Sequence, residues 1–131
     1  MAVKVVDASA LAALLFDEPE ATAVADRLED GNLVAPALLS FEIASVCLKK
    51  LRNNPQQREA LLGAFALFAR MPIEIVEVEH ADTLQLAEAF GLSSYDAAYL
   101  WLAQTLAAEL EGCKPPVQHG ISTTSAREPV K

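Results

Sequence analysis

A chain of 131 residues suits one domain, and 53% hydrophobic residues can fill a core of that size. The net charge of −8 excludes broad, non-specific nucleic-acid binding, which needs a basic surface. No apolar run could span a membrane without a charge or a breaker, and no signal-peptide pattern opens the chain. Cys47 and Cys113 have no metal-ligand spacing, so a reduced, cytoplasmic compartment is expected.

Val3–Val6 is continuous and β-branched, which predicts a short buried strand. Ser9–Phe16 has helical character, and Asp17-Glu18-Pro19-Glu20 stops and restarts the helix. Ala21–Leu28 continues as a helix until the turn residues Asp30-Gly31-Asn32. Leu33-Val34-Ala35 predicts a second strand, and Pro36 opens a helix to about Arg52. Asn53-Asn54-Pro55 breaks the chain, with Asn54 a candidate N-cap for a helix over 56–70. The alternation in residues 73–78, Ile-Glu-Ile-Val-Glu-Val, predicts a strand with one less buried face. His80–Phe90 reads as a helix closed by Gly91, and Ser93 or Ser94 caps a last helix to about Leu110. Strands separated by helix pairs predict an α/β fold with a parallel sheet.

From Gly112 the texture changes. Prolines, polar residues and a lost helical period predict a domain over 1–111 followed by a loosely ordered tail over 112–131. The tail holds Lys114, Arg127 and Lys131 against Glu128, so the body before it is more acidic than the whole. The main basic group in that body is Lys49-Lys50-Arg52.

Three acids stand out, each with a plain structural reading beside the chemical one. Asp7 directly follows the first strand, where open α/β sheets bind ligands, but it is equally suited to cap the next helix. Glu42 shares a helical stripe with Ser45, Lys49 and Arg52, whereas Lys50 points elsewhere. Alone, that stripe reads as a solvated face. As a site, Glu42 would hold a metal and Lys49 and Arg52 would meet phosphates further along. Asp96 lies in a first helical turn, where the dipole favours a carboxylate, and Ser93-x-x-Asp96 resembles a capping box. Acids brought together from distant positions are what a magnesium or manganese site needs. Tyr99 and Trp101 lie in an apolar helix and read as core or interface.

Three blocks carry a family resemblance: Val5-Val6-Asp7-Ala8-Ser9, residues 35–44 (Ala-Pro-Ala-Leu-Leu-Ser-Phe-Glu-Ile-Ala), and residues 92–100 (Leu-Ser-Ser-Tyr-Asp-Ala-Ala-Tyr-Leu). Together they resemble the PIN-domain ribonucleases, most closely the VapC-like toxins of prokaryotic toxin–antitoxin pairs. The resemblance covers about residues 1–110. It implies a three-layer α/β/α sandwich around a short parallel sheet, with Mg²⁺- or Mn²⁺-dependent endonucleolytic cleavage of RNA of the tRNA or ribosomal RNA class. It assigns Asp7, Glu42 and Asp96 to the metal and to catalysis, and Ser9 to support of the first acid. It further implies a homodimer blocked by a VapB-like antitoxin.

The chain departs from that family where a final strand ending in Thr-x-Asp is expected. Glu111-Gly112-Cys113-Lys114-Pro115-Pro116 stands there instead, and no aspartate follows Asp96. Proline lacks the donor of a central strand. The final strand is therefore expected to be missing or altered, as by a shifted reading frame, and activity to be impaired by loss of the fourth acid. A catalytically inactive protein that sequesters antitoxin is the alternative. A phosphatase using Asp7 as nucleophile, as in haloacid-dehalogenase-like enzymes, would require a second aspartate where Ser9 stands.

Overall fold

The structure is a computed structural model, and it describes residues 2–111. The tail predicted over 112–131 lies outside the described residues. Four parallel strands form one sheet in the order β3-β2-β1-β4: β1 (Ala2–Val6), β2 (Gly31–Ala35), β3 (Ile73–Ile75) and β4 (Glu109–Glu111). Between them run α1 (Ala8–Leu15), α2 (Ala21–Leu28), α3 (Leu38–Asn53), α4 (Arg58–Phe68), α5 (His80–Phe90) and α6 (Ser94–Leu106).

Side chains of consecutive strand residues point to opposite faces, and β1 uses both. Val6 packs with Ala35, Leu11, Leu39 and Ile43 in the core shared by α1 to α4. Val5 packs with Val34, Tyr99, Leu102 and Ala103 on the α6 side. Helices therefore cover both faces of the sheet, the arrangement parallel strands require. A third cluster, Leu86, Ala87, Ala97 and Leu100, fixes α5 against α6. Each buried leucine in these clusters contributes about 1.5–3 kcal/mol of transfer free energy.

The local signals explain most boundaries. Gly91 takes the left-handed conformation (φ 66°) that closes α5. Gly31 opens β2 beneath the stem of Lys4, where a Cβ would stand 2.7 Å from the lysine Cδ. Pro55 starts a short 3₁₀ turn, Pro55–Gln57, ahead of α4. Asn54 does not cap that turn with its side chain; its Nδ2 donates 3.1 Å back to the Lys50 carbonyl and closes α3 instead.

Two boundaries differ from the sequence reading. β3 is three residues long, because only Ile73–Ile75 align with Leu33–Ala35 of β2. The last helix stops at Leu106, not near Leu110. Ala107 turns left-handed (φ 51°), and Leu110 packs on the Val5–Tyr99 cluster. The residues released form β4, paired to β1 with Lys4 opposite Glu109 and Val6 opposite Glu111. Where the final strand is expected missing or altered, the described residues thus hold a three-residue strand.

Candidate active site

Strand order places the site. The chain steps from β1 to β2 to β3 on one side and returns to the other side of β1 for β4. The crevice beyond the carboxyl end of β1 is the switch point of the sheet, where ligands of open α/β sheets bind. Asp7 is the first residue past β1, in the extended conformation that a helix N-cap adopts. Its Oδ1 accepts from the Ala10 N–H at 3.1 Å and from the Ser9 hydroxyl at 2.9 Å. The two roles left open for Asp7 are compatible: it caps α1 and, at 4% exposure, stands at the crevice. The Ser9 hydroxyl, by that bond, helps to fix the orientation of the carboxylate.

Glu42 comes from the second turn of α3. Leu39, Ile43 and Cys47 of that helix are buried, which leaves Glu42 half-buried at the edge of the core. Its Oε1 accepts from the Tyr99 hydroxyl at 2.6 Å, a short bond between residues 57 apart in sequence. Asp96 lies in the first turn of α6, where Ser93 Oγ accepts from its N–H at 3.0 Å. The cap is Ser93, and the Asp96 side chain is half-buried.

Tyr99 ties the three acids together. Its ring is in the core at 3% exposure, yet its hydroxyl reaches Glu42. Burial raises the phenol far above its usual range, followed by the hydrogen bond to Glu42 and the charges of Glu42, Asp7 and Asp96. Three carboxylates thus act on one buried hydroxyl, and Tyr99 stays a proton donor at any working pH. Its apolar neighbours in sequence hide this role. The one signal is its place three residues after Asp96 on the same helix, which turns both toward one crevice.

Hard carboxylate oxygens around a negative locus are the donor set of magnesium or manganese. Among the described residues, no three acid, imidazole or thiol side chains form a ready-made cage. Magnesium needs no such cage: one or two carboxylates can hold it, with waters filling the other positions.

An open groove of about 560 Å³ runs beside Glu42 and is lined by Ser9, Phe41, Ser45 and Tyr95 among others. A second concavity, which also touches Ser45, is lined by Lys49 and Arg52, both exposed. Glu42, Ser45, Lys49 and Arg52 of the α3 stripe thus each line one or both of two neighbouring concavities. Lys50 faces away and pairs with Glu18 at 3.1 Å, above the Phe16 ring. Cys47 is buried, its Sγ 3.8 Å from the Leu61 carbonyl, and burial pushes its thiol pKa up.

A family profile described as PIN domain matches residues 4–110. The chain belongs to the PIN-domain family. PIN domains are in general nucleases, hydrolases that typically use divalent metals. The crystal structure of PAE2754 from Pyrobaculum aerophilum is similar to this PIN domain, with a TM-score of 0.63 and 22% identity, over 96% of this chain and 90% of that one. At that identity the likeness carries the fold alone. No curated protein matches the chain. No helix among the described residues of this PIN domain is long and apolar enough to cross a membrane.

Proposed function

We propose that this PIN domain is a Mg²⁺- or Mn²⁺-dependent endoribonuclease, the toxin of a toxin–antitoxin pair. The observation that carries the reading is the 2.6 Å bond from Tyr99, one turn on from Asp96, to Glu42, beside Asp7 at the carboxyl end of β1, with Lys49 and Arg52 in a concavity further along α3. Asp7, Glu42 and Asp96 would hold the ion, which when bound lowers the pKa of its water and polarises a phosphoryl oxygen. The Ser9 hydroxyl and the Ala10 N–H fix Asp7, and Tyr99 fixes Glu42. Lys49 and Arg52 neutralise backbone phosphates beyond the scissile one. Without its ion the acidic crevice repels the scissile phosphate, so cleavage depends on the metal.

Incubation of the full chain with tRNA and ribosomal RNA, in Mg²⁺, in Mn²⁺ and in chelator, tests the reading. Cleavage in metal that is lost in chelator and in Asp7→Asn is the expected result; cleavage untouched by either overturns it. A second reading is favoured by one observation, that no aspartate follows Asp96 in the sequence. On that reading the protein retains a homodimer and sequesters a VapB-like antitoxin without cutting. Antitoxin binding with no cleavage in any metal would select it.

A further inference from the structure

β4 ends beside the crevice. Glu111 pairs level with Val6, and Asp7 is the residue that follows Val6. Neighbouring strands lie about 4.8 Å apart, so the chain that continues past Glu111 starts out next to the acidic site. That continuation differs in charge from the rest. It carries Lys114, Arg127 and Lys131 against the single acid Glu128, on a chain whose net charge is −8. Lys114 comes three residues after Glu111, which even a fully extended backbone keeps within about 10 Å of it. Pro115 and Pro116 follow at once. A proline restricts the residue before it to extended backbone, and a proline pair favours the polyproline conformation, which has no internal hydrogen bonds. The groove beside Glu42 offers a matching surface. Phe41 and Tyr95 line it with 77% and 62% of their surface exposed, each one residue before a half-buried acid, Glu42 or Asp96.

We propose that residues 114–117 dock in cis in this groove, with the Lys114 ammonium on Glu42 and Asp96 and the rings of Pro115 and Pro116 against Phe41 and Tyr95. The chain thereby occupies its own site until a cation or a substrate displaces it. Extended proline segments seat on exposed aromatic rings because their conformation costs little to fix, and a flanking cation adds the match to a carboxylate. The short tether selects this occupant over a second copy. Three residues of chain hold Lys114 at an effective concentration of about millimolar at the crevice, whereas another copy brings the same net negative charge and is repelled. Such seating does not depend on the nuclease reading, since it needs only the acids, the rings and the place where β4 ends.

Cross-linking of the full chain with a zero-length carbodiimide, which joins an amine to a carboxylate it touches, tests the docking. Peptide mass analysis of the monomer band should show Lys114 joined to Glu42 or Asp96, and the product should fall at high salt. Nitration of Tyr95, the exposed one of the two tyrosines, is the second readout. Lys114→Gln should nitrate Tyr95 about two- to five-fold faster than the parent, as loss of one exposed ion pair allows. Lys114→Arg keeps the charge but cannot couple, so it should protect Tyr95 like the parent. The double variant Pro115→Ser, Pro116→Ser should nitrate faster than the parent. Equal nitration in all four proteins, or Lys114 joined indiscriminately to carboxylates across the surface, overturns the docking. Coupling of Lys114 found only in the dimer band would seat the segment on a second copy and overturn the contact in cis. None of these outcomes changes the result of the RNA cleavage test, so the docking and the nuclease reading fail separately.

Discussion

The Tyr99 hydroxyl donates to Glu42 Oε1 across a 2.6 Å bond that joins α6 to α3. These are the two helices whose first or second turns carry Asp96 and Glu42. One largely buried side chain therefore ties Glu42 to the helix that carries Asp96. Tyr99→Phe deletes the donor and keeps the ring. The expected result is a folded protein about 1.5–3 kcal/mol less stable, since the lost bond has a charged acceptor. Its Mn²⁺ affinity by calorimetry should fall because Glu42 loses the bond that orients its Oε1. An unchanged affinity would reduce Tyr99 to a core residue.

Alkaline pH should act on the same residue. The Tyr99 phenol is raised in the folded state, so the folded protein binds the proton more tightly than the unfolded chain. The stability this supplies is complete below the unfolded tyrosine pKa of about 10 and is lost as pH rises above it. In a Tyr95→Phe background Tyr99 is the only tyrosine of the chain. Its phenolate absorbance should then appear only together with unfolding. Ionisation in a still-folded protein would contradict the burial and the three surrounding charges.

Asp7 separates charge from capping. Asparagine caps helices as well as aspartate does, whereas alanine loses about 1 kcal/mol. Asp7→Asn should therefore keep the melting temperature of the parent, or exceed it by removing one of three neighbouring negative charges, while RNA cleavage is abolished. Asp7→Ala should lose cleavage and melt lower. Thermal scans and a cleavage assay on the pair distinguish a site acid from a mere cap.

The basic residues of α3 should divide cleanly. Lys49 and Arg52 line the second concavity, and Lys50 is engaged by Glu18 on the other side of the helix. Single-strand binding measured against salt should lose slope by about 0.7 for each of Lys49→Ala and Arg52→Ala. Lys50→Ala should leave the slope unchanged. A slope that moves only with Lys50 would place the RNA track elsewhere.

A Thr-x-Asp strand grafted after Leu110 should raise Mn²⁺ affinity and cleavage rate. β4 runs parallel to β1 with Glu111 level with Val6, so the chain leaves β4 just short of the level of Asp7. A graft that cleaves no better than the parent would mean that three acids suffice.

Much of this was legible in the residues, for definite reasons. Val3–Val6 is a buried β-branched run, Gly91 ends α5, and Ser93 caps α6, each a local signal that packing reinforces. The three acids and Ser9 stood out in the sequence because motif order marked them. The end of α6 was not. Residues 106–110, Leu-Ala-Ala-Glu-Leu, are all good helix formers, and only the packing of Leu110 against the Val5–Tyr99 cluster overrides that preference. The Tyr99 hydroxyl was equally hidden, since an apolar helix announces a core ring and says nothing of what its far atom touches.

The late arrival of β4 and α6 also bears on synthesis. β1 leaves the ribosome first, but one of its two partners lies a hundred residues later, with Lys4 opposite Glu109. Asp96 and Tyr99 emerge only shortly before that partner. A nascent chain that already displays Asp7 and Glu42 therefore lacks the helix that orients them and the strand that closes the sheet. Non-local pairing of this kind is slow, because the loop must close before any contact rewards it. The crevice beyond β1 is thus assembled only when nearly the whole fold is out.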